Sequence, residues 1–258
     1  MREFLEDAHS HREDGYGRAQ THARQALPKR FYKQTGVMPV EGGFAVTLDG
    51  RPTKTPGMKP VVVPVAPLAT AMAAEWAAQG EFIEPGSMPL VRLVNAAIES
   101  GQERVIALRE EIVKYAGNDL LLYWADTPEE LVAEQERVWD AALVKVARHF
   151  GVSFQPTSGI IHQPQPETTL AKLTDALRDE GLLVLTALVS ITSIAGSGLL
   201  AIAFWHQLLT PDEIWDAVHV DEDYNARIWG ADTEATLRRQ KRRREFDAAV
   251  RMLDYLRL

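Results

Sequence analysis

The spacing of large apolar residues changes twice along this chain and divides it into three stretches. The first 27 residues are polar, with His9, His11 and His22 and no apolar period, which predicts a mobile arm. From Lys29 to Val65 the apolar residues come in short β-type runs: Arg30–Lys33, Phe44–Leu48, Arg51–Thr55 and Val61–Val63. Asp49-Gly50 lies between the second and third runs, a dipeptide that closes two-residue hairpins because both positions accept positive φ. A small antiparallel sheet is expected. Leu68, Met72 and Trp76 then recur every fourth residue, predicting a helix from about Pro67 to Gln79 with one stripe against that sheet. Gly80 and Pro85-Gly86 end it and suggest a boundary.

Beyond Ser87 the spacing is helical. Val105, Leu108, Ile112 and Tyr115 define a core face stopped at Gly117. Thr127-Pro128-Glu129-Glu130 predicts an N-cap, a first-turn proline and a capping-box Glu, opening a helix that runs to His149-Phe150 and stops at Gly151. Leu170, Leu173 and Leu177 mark another helix after a Pro-bearing connection. The charge-free run Leu182–Trp205 is long enough to cross a bilayer. Gly196-Ser197-Gly198 breaks it in two, however, and Thr186, Ser190, Ser193 and Ser197 share a small polar face, so a buried helical pair is preferred to a membrane span. Thr210-Pro211-Asp212-Glu213 repeats the capping-box pattern, and a last helix from about Asp232 to Arg257 buries Phe246, Val250, Leu253 and Leu256. The expected class is α+β: an arm (1–27), a small N-terminal domain of antiparallel sheet plus helix (28–86) and a mostly α-helical C-terminal domain (87–258).

Composition narrows the chemistry. Hydrophobic residues at 46% and charged residues at 25% are ordinary for a globular protein. The absence of cysteine excludes disulfides, thiolate zinc sites, iron–sulfur clusters and cysteine nucleophiles. A formal charge of −8 argues against a broad electropositive face for nucleic acid or anionic lipid. Met1–Asp7 carries acids early and no apolar h-region, so neither a secretory signal nor a transit peptide is visible and a cytoplasmic location is expected.

Four motifs look like chemistry and yield to plainer readings. Gly196-x-Gly198-x-x-Ala201 imitates a dinucleotide fingerprint but lacks the βαβ context, so close helix packing explains it. Asp221-x-Asp223-x-Asn225 imitates a calcium loop but has Ala226 where the tight turn needs glycine, leaving a solvated acidic surface. Arg238, Arg239, Lys241, Arg242, Arg243 and Arg244 would surround a helix rather than line one face, and eight acids precede them between Asp212 and Glu234; pairing with those acids or with a partner is preferred to nucleic-acid binding. His9-x-His11, near Asp7 and Asp14, offers at most adventitious metal binding. His149, His162, His206 and His219 are scattered with no nucleophile motif. No catalytic residue, cofactor or metal site emerges. An enzyme or small-ligand-binding protein using a cleft between the two domains stays open as the alternative.

Strings spread along the chain carry a resemblance: Lys29–Lys33, Gly43–Pro52, Lys54–Pro56, Glu75–Gly80, Met88–Leu90, Lys114–Leu121, Trp139-Asp140, Gly196-Ser197, Asp221-Glu222 and Trp229-Gly230. In order and spacing they resemble the ATP-synthase assembly chaperones that bind the alpha subunit of the soluble F-type ATPase sector. The resemblance implies a small α+β domain followed by a helical domain, and no enzyme activity. It implies a partner, the unassembled alpha subunit, held by the surface that later meets beta and released when beta arrives. Glu222 matches the family's acidic position and is carried over as the leading partner contact, with Asp221 and Asp223 as rim acids that set orientation and on-rate. A helix-surface or interdomain salt bridge is the plainer reading of Glu222. Trp76 matches the family's helix tryptophan, and its stripe gives it a structural core role. Asn225 and Thr53 depart from the family's usual Gln and Leu. The chain is expected to be a monomer when not bound, without stable membrane insertion.

Overall fold

Asp49 and Gly50 both adopt positive φ, 48° and 78°, and turn the chain in two residues between β2 (Gly43–Leu48) and β3 (Arg51–Pro52). This computed structural model describes residues 27–159, 161–230 and 232–258, so the predicted arm up to residue 26, with its histidine pair, lies outside the described residues. β1 (Thr35–Val40) pairs antiparallel with β2 in the register Thr35 to Leu48 through Val40 to Gly43, and the sheet order is β1-β2-β3.

Two sequence expectations change here. Arg30–Lys33 is not a strand: Lys29 makes one isolated bridge to Phe82, and Tyr32 is buried with its hydroxyl donating to the Trp76 carbonyl at 2.6 Å. The strand that does form, β1, is half-exposed along its length, so its sequence lacks clean alternation. Val63 joins the sheet through a single bridge to Phe44. α1 (Ala66–Ala77) follows, with Pro67 in its first turn, and packs on β1 and β2. Leu68 and Met72 are fully buried.

The helices that follow are α2 (Pro89–Ser100), α3 (Val105–Gly117), α4 (Glu129–Gln135), α5 (Ala141–Phe150), α6 (Glu167–Ala176), α7 (Leu182–Ala195), α8 (Gly198–Trp205), α9 (Pro211–Trp229) and α10 (Thr233–Leu256). A π turn at Glu136–Asp140 joins α4 to α5 without leaving the helical path. Two-residue strands β4 (Tyr123–Trp124) and β5 (Thr157–Ser158) pair in parallel. The α+β architecture expected from the spacing is therefore present, and one cluster of buried residues runs from Val46 and Val63 in the sheet to Leu253 in α10.

Further local expectations are corrected. The buried face of α3 is Leu108, Ile112 and Ala116; Tyr115 is 37% exposed, because at 3.6 residues per turn Ala116 stacks over Ile112. Thr127 builds no capping box: Pro128 itself is the N-cap of α4, which puts Thr127 one residue outside the helix. The second box forms as expected, with Thr210 Oγ1 accepting from the Glu213 backbone N–H at 3.2 Å and Glu213 Oε2 accepting from the Thr210 N–H at 2.7 Å.

α7 and α8 form the buried hairpin. Gly196, at φ 66°, closes α7, and Ser197 Oγ then caps α8 by accepting from the Leu200 N–H at 3.0 Å. Every residue from Gly198 to Phe204 is buried. A Cβ on Gly198 would stand 2.2 Å from the Ile112 carbonyl oxygen, so α8 crosses α3 at backbone contact. α7 in turn packs on α2, α3 and α10, which makes it the central helix of the bundle. Among the described residues no helix is long and apolar enough to cross a membrane.

Candidate partner-binding groove

The α9–α10 hairpin carries the acids singled out in the sequence. α9 is held inward by Ile214, Trp215, Ala217, Val220 and Tyr224, which recur at helical spacing and are all buried. Residues 221–223 sit near its far end, each turned about 100° from the last, so three consecutive acids meet three different surroundings. The same continuous helix removes any calcium loop, since Asp221, Asp223 and Asn225 point in helical rather than convergent directions.

Asp221 turns toward α4, where the Gln135 side-chain amide donates to it at 2.7 Å; Gln135 spends its carbonyl on the Ala125 N–H at 2.7 Å. Asp223 turns toward α10 and accepts both outer nitrogens of Arg239. That two-pronged bond holds its carboxyl below the usual aspartate range. Glu222 is different. It makes no hydrogen bond among the described residues, is 57% exposed at its side chain, and lies 3.8 Å from the Arg242 guanidinium.

His219, one turn below, does not compensate Glu222. It is fully buried against Trp215, and its Nδ1–H donates to the Trp215 carbonyl at 2.7 Å. Burial pushes its pKa below the usual histidine value, so the ring is neutral. Nε2 has no partner and stands 3.7 Å from Glu222. With the ring neutral, Glu222 is left in a loose surface ion pair with Arg242, the helix-surface salt bridge of the plainer reading, and a pair this open and solvent-screened holds the carboxylate only weakly.

Beside it is an open groove of about 340 Å³, where Glu222, Asn225, Ala226 and Trp229 of α9 face Ala235, Thr236 and Arg239 of α10. Trp229 is 82% exposed at its rim, with Ile228 50% and Leu237 60% exposed close by in sequence. In the sequence Trp229 enters only as part of a resemblance, and none of the three is given a contact role there. For Leu237 the available signal was its isolation in a charged run, which leaves no apolar stripe to carry it to the core.

The basic run of α10 is spent largely on neighbouring acids. Arg238 pairs with Glu234 at 2.8 Å, Arg239 with Asp223, and Arg243 with Asp212 at 2.9 Å and Asp247 at 2.7 Å. Trp76 lies elsewhere, on α1, half-buried at the edge of the core with one ring edge against Tyr32 at 5.7 Å between centroids. Asp221, Glu222 and Asp223 are thus brought to one hairpin, and Trp76 is not brought to it.

Comparison with known proteins places this arrangement. A family profile described as "ATP12 chaperone protein" matches residues 29–147. Protein atp12, mitochondrial, of Schizosaccharomyces pombe is 24% identical over 227 residues, covering 82% of this chain and 78% of the relative. The crystal structure of Atp12 from Paracoccus denitrificans is 34% identical with a TM-score of 0.82, covering 88% of this chain and 98% of that one. The Atu1473 protein of Agrobacterium tumefaciens is 40% identical with a TM-score of 0.86, covering 89% of this chain and 87% of that one. With that identity sustained over nearly the whole of a solved Atp12, the chain belongs to the ATP12 family of ATP-synthase assembly chaperones.

Proposed function

We propose that this protein escorts the alpha subunit of the F-type ATPase in the cytoplasm, covering its beta-facing surface until beta replaces the chaperone, and that it does so without catalysing a reaction. The observation that carries the reading is the pairing, on one hairpin, of an exposed Glu222, held only by a loose ion pair with Arg242, with the exposed Trp229 and Ile228. Exposed tryptophan beside a loosely held charge is the composition of an interface anchor: the ring supplies buried area and the carboxylate supplies orientation and on-rate. Asp221 and Asp223, already bonded within the chain, serve as rim acids that hold α9 against α4 and α10.

An escort must be displaced by the true partner, so a small, rim-charged contact suits it better than a large apolar one. The alternative, an enzyme in the cleft where α1, α2, α9 and α10 meet, has little to work with. Glu75 there is pushed above its usual pKa by burial, yet its two oxygens accept from the Leu90 and Val91 N–H groups at 3.0 and 2.8 Å. It caps α2.

Size-exclusion chromatography with light scattering tests the reading, using this chain mixed with nucleotide-free alpha subunit from its own ATP synthase. Co-elution as a defined heteromer, weakened by Glu222→Ala, is the expected result. Separate elution of both proteins, with alpha soluble and active, would sink it.

A further inference from the structure

A second kind of opening lies in the N-terminal part, between α1 and the β2–β3 hairpin. It has a volume of about 560 Å³, and its floor is a ladder of rings. Phe31 meets Tyr32 edge-on at 5.4 Å, and Tyr32 meets Trp76 edge-on at 5.7 Å. Tyr32 is 4% exposed, whereas Phe31 is 73% exposed and stands at the mouth. Nothing in the core requires Phe31 to be apolar.

The charges around the opening are unevenly spent. Asp49 at the hairpin turn accepts from the Lys33 N–H at 3.0 Å and the Gln34 N–H at 2.8 Å, so its carboxylate is committed to the backbone. Arg51 and Lys54 on the rim form no ion pair or hydrogen bond among the described residues, and both are exposed. In a chain of net charge −8, this is a place where the local charge is reversed.

A small-ligand site would need polar groups converging inside the opening. The Tyr32 hydroxyl is already donated to the Trp76 carbonyl at 2.6 Å, and the Asp49 carboxylate is committed to the Lys33 and Gln34 N–H groups, so neither converges on the opening. An open apolar floor under two unpaired cations fits instead a stretch of polypeptide that alternates apolar and acidic side chains.

We propose that this groove is a second client-binding site, taking an acidic, apolar-bearing segment of the same polypeptide that the α9–α10 tip engages. The inference rests on the client reading above and extends it: the chaperone holds its client through two grooves of opposite charge. Two weak contacts on one client reinforce each other through effective concentration, and they can be surrendered one at a time when the true partner arrives.

The test measures binding of nucleotide-free alpha subunit to the full chain by biolayer interferometry, comparing wild type with Arg51→Glu plus Lys54→Glu, with Phe31→Ala, and with the conservative pair Arg51→Lys plus Lys54→Arg. Charge reversal is expected to weaken binding on the order of tenfold and Phe31→Ala by several-fold, while the conservative pair binds like wild type. Thermal melts should coincide, since all three side chains are exposed; Phe31→Ala carries the test if charge reversal disturbs folding. Wild-type binding that survives both charge reversal and Phe31→Ala overturns the groove and leaves the client reading standing. Absence of wild-type binding overturns both. Light scattering that shows a dimer abolished by the same reversal assigns the groove to a second copy and also overturns the proposal.

Discussion

Two helical hairpins in this protein have the same outline and opposite fates. α7 and α8 turn at Gly196-Ser197 and are buried from Gly198 to Phe204; α9 and α10 turn after Gly230 and end in exposed Trp229 and Ile228. In the first, the polar needs of the turn are met internally: Asp119 reaches in to accept from the Leu199 N–H at 2.9 Å, and Ser197 accepts from the Leu200 N–H. In the second, Asp232 caps α10 from the surface, and charged groups pair across the hairpin while Glu222 forms no hydrogen bond among the described residues. The difference separates what holds the fold from what is left to act. The hairpin whose turn is capped and buried is scaffold, and the one that keeps an exposed acid and tryptophan is the surface that the proposed function uses.

The comparison breaks first at Gly198. Adding side chain there drives Cβ into the Ile112 carbonyl and to within 2.7 Å of the Ala116 nitrogen, both backbone atoms of α3 that have no room to yield. Gly198→Val is expected to cost about 5 kcal/mol, enough to remove most of the stability of an ordinary domain. Chemical denaturation, or the absence of soluble folded protein, would show it. Near wild-type stability would mean that α8 is not locked against α3.

Asp119 comes next. Its carboxylate accepts from the Leu121 N–H at 3.2 Å as well as from Leu199, and it is fully buried. Asp119→Ala leaves two buried donors unpaired and should cost about 3 kcal/mol. Burial also pushes the Asp119 pKa from 3.8 to about 7. The folded state therefore keeps a proton that the unfolded chain releases near pH 4, so the contribution of this group is full below pH 4 and is lost as pH rises through about 7. Asp223 runs the other way: its lowered pKa stabilises the fold above the ordinary aspartate range, and that gain is lost on acidification. Denaturation of wild type and Asp119→Ala at pH 5 and pH 8 should show a smaller loss toward alkaline pH in the variant. An equal loss would remove Asp119 as its source.

The scaffold hairpin was more legible than the interface hairpin, for a physical reason. A buried element repeats one chemical demand at every turn, so the charge-free run, the Gly196 break and the small residues around it pointed to a packed pair without any partner in view. Tyr115 and Thr127 failed on single-residue register, where Ala116 and Pro128 took the places that spacing had given to their neighbours. β1 was missed because a half-exposed strand has no clean alternation. The acidic string 221–223 was legible through its resemblance to relatives, but its internal division was not. Which acid is bonded depends on Gln135, Arg239 and Arg242, which lie 86, 16 and about 20 positions away. Trp229 and Phe31 appear in the strings that carry the resemblance, but their exposure was not legible, because an exposed aromatic residue leaves no periodic trace.

Gly230 sharpens the contrast with Gly198. It has open space around it, but its φ of 88° and ψ of 155° fall in a region that side chains resist. Gly230→Ala should cost about 1.5 kcal/mol through backbone strain alone and leave the core intact. A thermal melt distinguishes the two glycines, with a modest shift expected here against near-complete loss at Gly198. Equal losses would mean that the tip is packed more tightly than its exposure indicates.

The smallest effect on stability is expected where the effect on function is greatest. Trp229 is 82% exposed, so Trp229→Ala removes almost no buried area and should change stability by less than about 0.5 kcal/mol. The same ring stands at the rim of the Glu222 groove, where a client would desolvate it completely. Its loss there should cost about 2 kcal/mol of binding, or roughly thirtyfold in Kd. Glu222→Ala, which removes charge but little area, should act more on association rate and salt dependence than on dissociation. Interferometry at two ionic strengths separates the two variants, since the tryptophan contribution should persist in high salt while the glutamate contribution fades. If Trp229→Ala lowered stability as much as binding, the α9–α10 tip would be scaffold like its buried counterpart, and the interface would have to be sought elsewhere on the chain.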